Sequence, residues 1–515
     1  MDSSPNSHTG GSDDALGAGA GGASAGETPL RSPRVAIIGA GMSGIGMAAK
    51  LRLAGIESFR IYEKCDELGG TWRANTYPGL TCDIPSRYYS YTFAPNPDWS
   101  RVYSPGREIW SYLDRVAGEF ALADRLSLGT EVSEGHWLDG RWRLRTSRGE
   151  EADYDFIITA AGALVHPVKP DIPGLDSFAG PVFHSAEWDH SVPLRDRRIA
   201  VIGTGSTGMQ LTRALAPVAS RFELYQRTPQ WILPLANRRY TRLTRWAYRT
   251  IPGLNRAAYR AWQLQVERTL GRATVKPGFA RWWISTACRL HLRSLRDRSL
   301  RERFTPGYQP MCKRLIMGTG FYSQFKRPNV ELVDAGIERI EPRGIVTRDG
   351  RVHELDVIVL ATGFDAHAYM KPLELVGRDG VRLSELWDGE PFGYRSVAVP
   401  GFPNMFTLLG PHSPIGNQSI CTVSETQIEF ALALIDIWRR GGAEAMWPTA
   451  HATERFNSEL RAAVPHTIWA SGCMSWYIGK DGVPHPWPWT PQRHREMLAQ
   501  PLLEEWELAP SSAPV

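Results

Sequence analysis

Two glycine-rich turns, each leaving a short apolar run, constrain this chain more than any other feature. The first is Gly39-Ala-Gly41-Met-Ser-Gly44 after Arg34-Val-Ala-Ile-Ile38; the second is Gly203-Thr-Gly205-Ser-Thr-Gly208 after Arg198-Ile-Ala-Val-Ile202. An uninterrupted apolar run of this length reads as a parallel strand buried on both faces. The spacing predicts a helix over residues 45–54 and a second strand over 58–62 that ends at Glu63, 24 positions after Gly39. In a strand–turn–helix–strand unit, glycines let the backbone approach a pyrophosphate at the positive end of the helix. The acid then takes ribose hydroxyls. The second unit departs from the first at that point, because its strand runs Phe222-Glu-Leu-Tyr-Gln-Arg227-Thr228. A cation in place of the acid suits a 2′-phosphate, so this turn is expected to prefer NADPH over NADH.

The fold class that follows is α/β, with two doubly wound, Rossmann-like dinucleotide-binding domains. At 515 residues the chain is long enough for both. The expected division is a disordered Gly-, Ala- and Ser-rich tail over 1–33, a first domain over 34–165, and a second over 166–357. Residues 358–508 then return to the first domain and add a substrate-pocket region. Between residues 238 and 303, seventeen Lys and Arg stand against three acids, interleaved with Trp and Tyr. This stretch reads as a helical insertion over about 238–305, broken near Pro252-Gly253 and Pro277-Gly278. A solvated basic face is its expected role, ahead of peripheral membrane contact.

Composition excludes more than it suggests. A net charge of +5 is too small at this length to point to nucleic acid. The six cysteines form no CxxC pair and no metal-spaced cluster. They read as reduced thiols of a cytoplasmic protein without a metal site. No apolar run reaches the ~20 residues of a membrane span, and no secretory signal stands at Met1.

Two further stretches carry a resemblance. Phe178-Ala-Gly180-Pro-Val-Phe-His184-Ser-Ala-Glu-Trp188-Asp189 fits the pattern FxGxxxHxxxW(P/D). Gly70-Thr71-Trp72, continuing through Tyr77-Pro78-Gly79 to Asp83, fits GxWxxxx(F/Y)PGxxxD without a gap. Both resemble signatures of the type I Baeyer–Villiger monooxygenases, relatives of the flavin-containing monooxygenases. The Lys313-Arg314 dipeptide and the strand and turn from Asp356 to Phe364 are also similar to that family.

The resemblance implies FAD on the first domain, held by Gly39, Gly41, Gly44, Glu63, Gly70, Thr71, Trp72 and Asp83. It implies NADPH on the second, held by Gly203, Gly205, Gly208, Arg227, Thr228 and Lys313. Arg314 is the catalytic candidate, stabilising developing negative charge, with Asp83 holding its orientation. The implied reaction inserts one atom of O2 into a ketone through a C4a-peroxyflavin, giving an ester or lactone. Nitrogen or sulfur oxygenation by the same machinery stays open as the alternative. His184 is expected to be structural rather than a base, and the aromatics around Trp476 and Tyr477 receive no catalytic role.

Overall fold

The structure, a computed structural model, describes residues 30–366, 368–388, 390–473, 477–479 and 485–510. Each glycine turn leaves the central strand of its own five-stranded, wholly parallel sheet. In the first sheet the order is Met405–Thr407, Phe156–Thr159, Val35–Ile38, Phe59–Tyr62, Leu126–Ser127. In the second it is Val330–Val333, Arg221–Tyr225, Arg198–Ile202, Val357–Leu360, Val182–His184. Val35–Ile38 and Val357–Leu360 are buried along their whole length, as parallel strands covered on both faces require.

The two units repeat one plan. A helix follows each glycine turn, Met42–Leu53 in the first and Ser206–Leu215 in the second. A three-stranded antiparallel meander then returns the chain to the strand beside the central one. The first runs Val132–Leu138, Arg141–Thr146, Glu151–Tyr154 and leads into Phe156–Thr159. The second runs Ile337–Glu341, Gly344–Thr347, Val352–Glu354 and leads into Val357–Leu360. This corrects the boundary expected at residue 358, which falls inside the last strand of the second sheet. The chain returns to the first sheet only afterwards, at Met405–Thr407.

Helices form the insertion, at Arg242–Thr250, Leu254–Val266, Phe279–Arg293 and Arg298–Arg303, with shorter turns between. The breaks fall where the sequence puts them, with Gly253 and Gly278 at φ +77° and +144°. The insertion spans both units. Val266, with Tyr259 and Trp262, packs on the first core, whereas Leu270, Ala273, Ile284, Cys288 and Leu292 join the second.

Residues 1–29 of the expected tail lie outside the described residues. Residues 30–33 are structured, because Arg31 stacks over the Trp438 ring at 4.2 Å and donates to the carbonyl of Ala443 at 2.7 Å. Among the described residues no helix is long and apolar enough to cross a membrane.

Near the C-terminus, His494 on the helix Pro491–Met497 is fully buried against the edge of Trp487, with ring centroids 5.1 Å apart. Burial, helped by neighbouring Arg495, pushes its pKa from the usual 6.5 down to about 3. The unfolded chain therefore takes up this proton first as pH falls. Stability is fully present above about pH 6.5 and is lost towards the folded-state value. Denaturant titration is expected to show about 1.5–2 kcal/mol lost between pH 8 and pH 5 through this one group. In a His494→Leu variant that slope should flatten; an unchanged slope would assign it elsewhere.

Candidate functional site

The first turn forms a cradle without side chains. Gly39 sits at φ +107°, and a Cβ there would lie 2.5 Å from the carbonyl oxygen of Ala160, just past the neighbouring strand Phe156–Thr159. Gly70 lies against Gly41, and a Cβ on it would come within 2.9 Å of the Gly41 Cα. The helix Met42–Leu53 begins at Gly41 with no side-chain cap, so its first N–H groups are left for a ligand. Glu63 is buried at the end of the adjacent strand and accepts from the backbone N–H of Ala40 (2.8 Å) and Cys65 (3.0 Å). Thr71 opens the short helix Thr71–Ala74. Trp72 beside it donates from Nε1 to the Tyr89 hydroxyl at 3.1 Å, fixing one wall. An anionic dinucleotide fits this arrangement.

The second turn repeats the geometry. A Cβ on Gly203 would sit 2.3 Å from the carbonyl oxygen of Ala361, the counterpart of Ala160, whereas one on Gly205 would meet nothing within 4 Å. Gly208 closes the turn, where a Cβ would lie 2.0 Å from the carbonyl oxygen of Gly203. Thr204 donates to the carbonyl of Thr228 at 2.8 Å and ties the turn to the strand end that carries Arg227. Lys313 reaches the same place, with its Nζ 4.9 Å from the centre of the Tyr308 ring. Burial and then nearby Arg227 push its ammonium below the usual range. Two neighbouring cations that repel each other suit a phosphate dianion, which would neutralise both.

Arg314 donates from Nη2 to Oδ2 of Asp83 at 2.7 Å. Asp83 raises the guanidinium further above its usual range, against the cost of burial, and Tyr477 acts in the same direction. Burial raises the Tyr477 phenol, while Arg314 pulls it back down. Gly416 makes room for this contact. It sits at φ +95°, and a Cβ there would lie 2.4 Å from the Tyr477 hydroxyl and 3.7 Å from Arg314 Nη1. Asp83 also lines a cavity of about 420 Å³ with Tyr103, Gln210 and Arg213. Tyr477 lines a smaller apolar cleft of about 50 Å³ with Tyr369, Pro411 and Ser413. Arg314 thus joins a residue of each cavity wall.

Tyr477 and Gly416 are site residues that sequence reasoning missed, since neither stands at a spacing that singles it out. Trp476 lies outside the described residues. Cys312 and Cys473 require a correction: they form a disulfide with Cα atoms 6.1 Å apart, rather than reduced thiols. The fold brings them together across 161 residues, which no local spacing announces. The bond ties the segment before Arg314 to the segment before Tyr477. The free cysteines are Cys65, Cys82, Cys288 and Cys421.

His184 packs inside the second unit. It is fully buried in the edge strand Val182–His184, accepts at Nδ1 from the N–H of Ala186 (3.1 Å), and lies 5.7 Å from the ring of Phe364. Burial lowers its pKa. Trp188 of the same motif packs on Phe183 at 5.0 Å.

Comparison with known proteins places this geometry. Residues 32–247 match the family described as flavin-binding monooxygenase-like. An uncharacterized monooxygenase of Mycobacterium tuberculosis is 52% identical over 478 residues, covering 93% of this chain and 96% of its own. A Baeyer–Villiger monooxygenase of Streptomyces coelicolor is 36% identical over 494 residues, covering 94% of each. Among solved structures, cyclohexanone monooxygenase in its closed form superimposes with a TM-score of 0.82 at 28% identity, covering 94% of this chain and all of that one. Steroid monooxygenase bound to NADP gives 0.81 at 30%, covering 93% of this chain and all of that one. With two glycine cradles, a half-buried Arg314–Asp83 pair, and relatives matched over most of their length, the chain belongs to the FAD- and NADPH-dependent flavin monooxygenases of the Baeyer–Villiger type.

Proposed function

We propose that the enzyme inserts one oxygen atom of O2 beside the carbonyl of a small ketone, giving an ester or lactone. The observation that carries this is Arg314, a cation held by Asp83 and Tyr477. FAD would be held on the first cradle by Gly39, Gly41, Gly44, Gly70, Thr71 and Trp72, with Glu63 taking ribose hydroxyls. NADPH would be held on the second by Gly203, Gly205 and Gly208, with Arg227, Thr228 and Lys313 taking its 2′-phosphate. The first domain comprises 34–165 together with the chain after residue 360, and the second comprises 166–360 with its helical insertion.

FAD, when bound and reduced by NADPH, would supply activated oxygen. The protein supplies orientation and charge. A carbonyl under attack gains negative charge on its oxygen, and a guanidinium that is already oriented stabilises it without reorganising. Asp83 keeps Arg314 protonated and pointed, and Tyr477 braces it from the C-terminal segment. The disulfide between Cys312 and Cys473 holds that segment in place.

The test supplies holoenzyme with NADPH, isotopically labelled O2, and a cyclic ketone, a tertiary amine and a sulfide in parallel. Lactone carrying one labelled oxygen is the expected product. Label in the amine oxide or sulfoxide alone would overturn the carbonyl reading while leaving the flavin machinery in place.

A further inference from the structure

The helix Phe279–Arg293 has two apolar faces. Ile284, Cys288 and Leu292 are buried in the second core. The opposite face exposes Phe279 (77%), Trp282 (58%), Trp283 (54%) and Leu290 (57%) to solvent. These positions follow a helical i, i+3, i+4, i+11 spacing and so form one stripe, with the Phe279 and Trp282 rings 5.7 Å apart. The stripe belongs to a moored element rather than a loose one. Arg281 donates to the carbonyl of Ala273 at 2.7 Å, and His291 Nδ1 lies 3.2 Å from the carbonyl of Ile232. Three large aromatics clustered in solvent on a rigid helix are the mark of a contact surface.

The charges around the stripe identify what it contacts. From residue 268 to 296 the chain carries seven Lys and Arg and no Asp or Glu. Among the described residues none of the seven forms an ion pair with a carboxylate. Arg289 and Arg293 are exposed on the outer face itself. We infer that this helix lies on the surface of an anionic phospholipid bilayer. Phe279, Trp282 and Trp283 would enter the headgroup region, and the arginines would pair with lipid phosphates.

Aromatic rings that are apolar in body and polar at the tip, flanked by cations, suit the interface between headgroups and acyl chains. A second copy of the chain is a poorer occupant. A two-fold contact would set this stripe against itself and oppose two unpaired cationic patches. The contact would be peripheral, with one helix face entering the interface and the catalytic units remaining outside. It would also place the enzyme where apolar ketones concentrate.

Co-sedimentation of the full-length, FAD-loaded protein with vesicles tests this. Vesicles of phosphatidylglycerol and phosphatidylcholine in equal parts are compared with phosphatidylcholine alone. The intact protein is expected to bind the anionic vesicles at least ~10-fold more tightly than the neutral ones. The triple variant Phe279→Ser, Trp282→Ser, Trp283→Ser is expected to lose at least ~10-fold of that binding. Because these side chains are exposed, the variant should keep its bound flavin and its reduction by NADPH, which separates lost anchoring from misfolding. Intact protein that stays in the supernatant, or a variant that binds as tightly, would overturn the proposal. A lipid-free dimer that the triple substitution converts to monomer would overturn it in favour of a second copy.

Discussion

Arg314→Ala is expected to lower ester formation by ~10³-fold while leaving flavin binding intact and flavin reduction by NADPH within a few-fold. A donor already oriented toward developing charge accounts for an effect of that size, about 4 kcal/mol. NADPH should still be consumed, with its electrons appearing as hydrogen peroxide instead of product. Product per NADPH oxidised, with peroxide measured in parallel, is therefore the readout. Arg314→Lys should recover only part of the activity, because an ammonium lacks the planar fork that meets Asp83 and the substrate together. Asp83→Asn should cost less than Arg314→Ala, since the cation remains and only its orienting partner 2.7 Å away is weakened. Unchanged ester yield in Arg314→Ala would remove Arg314 from the chemistry and leave the Arg–Asp pair as a structural link between the two units.

Removing the two cations of the second cradle should change which nicotinamide coenzyme is used. Arg227→Ala and Lys313→Ala are each expected to raise KM for NADPH ~10–100-fold, with KM for NADH nearly unchanged. The reason lies in the unliganded geometry, where burial and Arg227 together depress the Lys313 ammonium. A phosphate dianion would relieve that repulsion, so the two residues should act as one unit and the double variant should fall short of additivity. Steady-state flavin reduction with both coenzymes checks this. An equal loss for NADH would show that the residues shape the turn and do not recognise the 2′-phosphate.

Much of the fold was legible because it rests on short-range pattern. Val35–Ile38 and Arg198–Ile202 are strands where apolar runs predict them, and each feeds a glycine turn and a helix. The helical insertion breaks at Gly253 and Gly278, beside the prolines that mark the breaks in the sequence. The misplaced boundary at residue 358 has a physical cause. An apolar run ending in a small-residue turn looks alike whether it pairs with Arg198–Ile202 or with Val35–Ile38, and only strand pairing tells the two apart.

The sequence by itself determined the two dinucleotide cradles, their order, and the acid-for-cation exchange between Glu63 and Arg227, since each is written within about thirty residues of chain. The tertiary structure alone decided what meets at the centre. Asp83 and Arg314 lie 231 positions apart, Cys312 and Cys473 161, and the packing that fits Tyr477 against Gly416 belongs to neither segment alone. It also decided that Trp282 and Trp283 face solvent while Ile284, their neighbour in sequence, is buried. Periodicity shows that a helix has faces; which face is covered depends on what the rest of the chain packs against it.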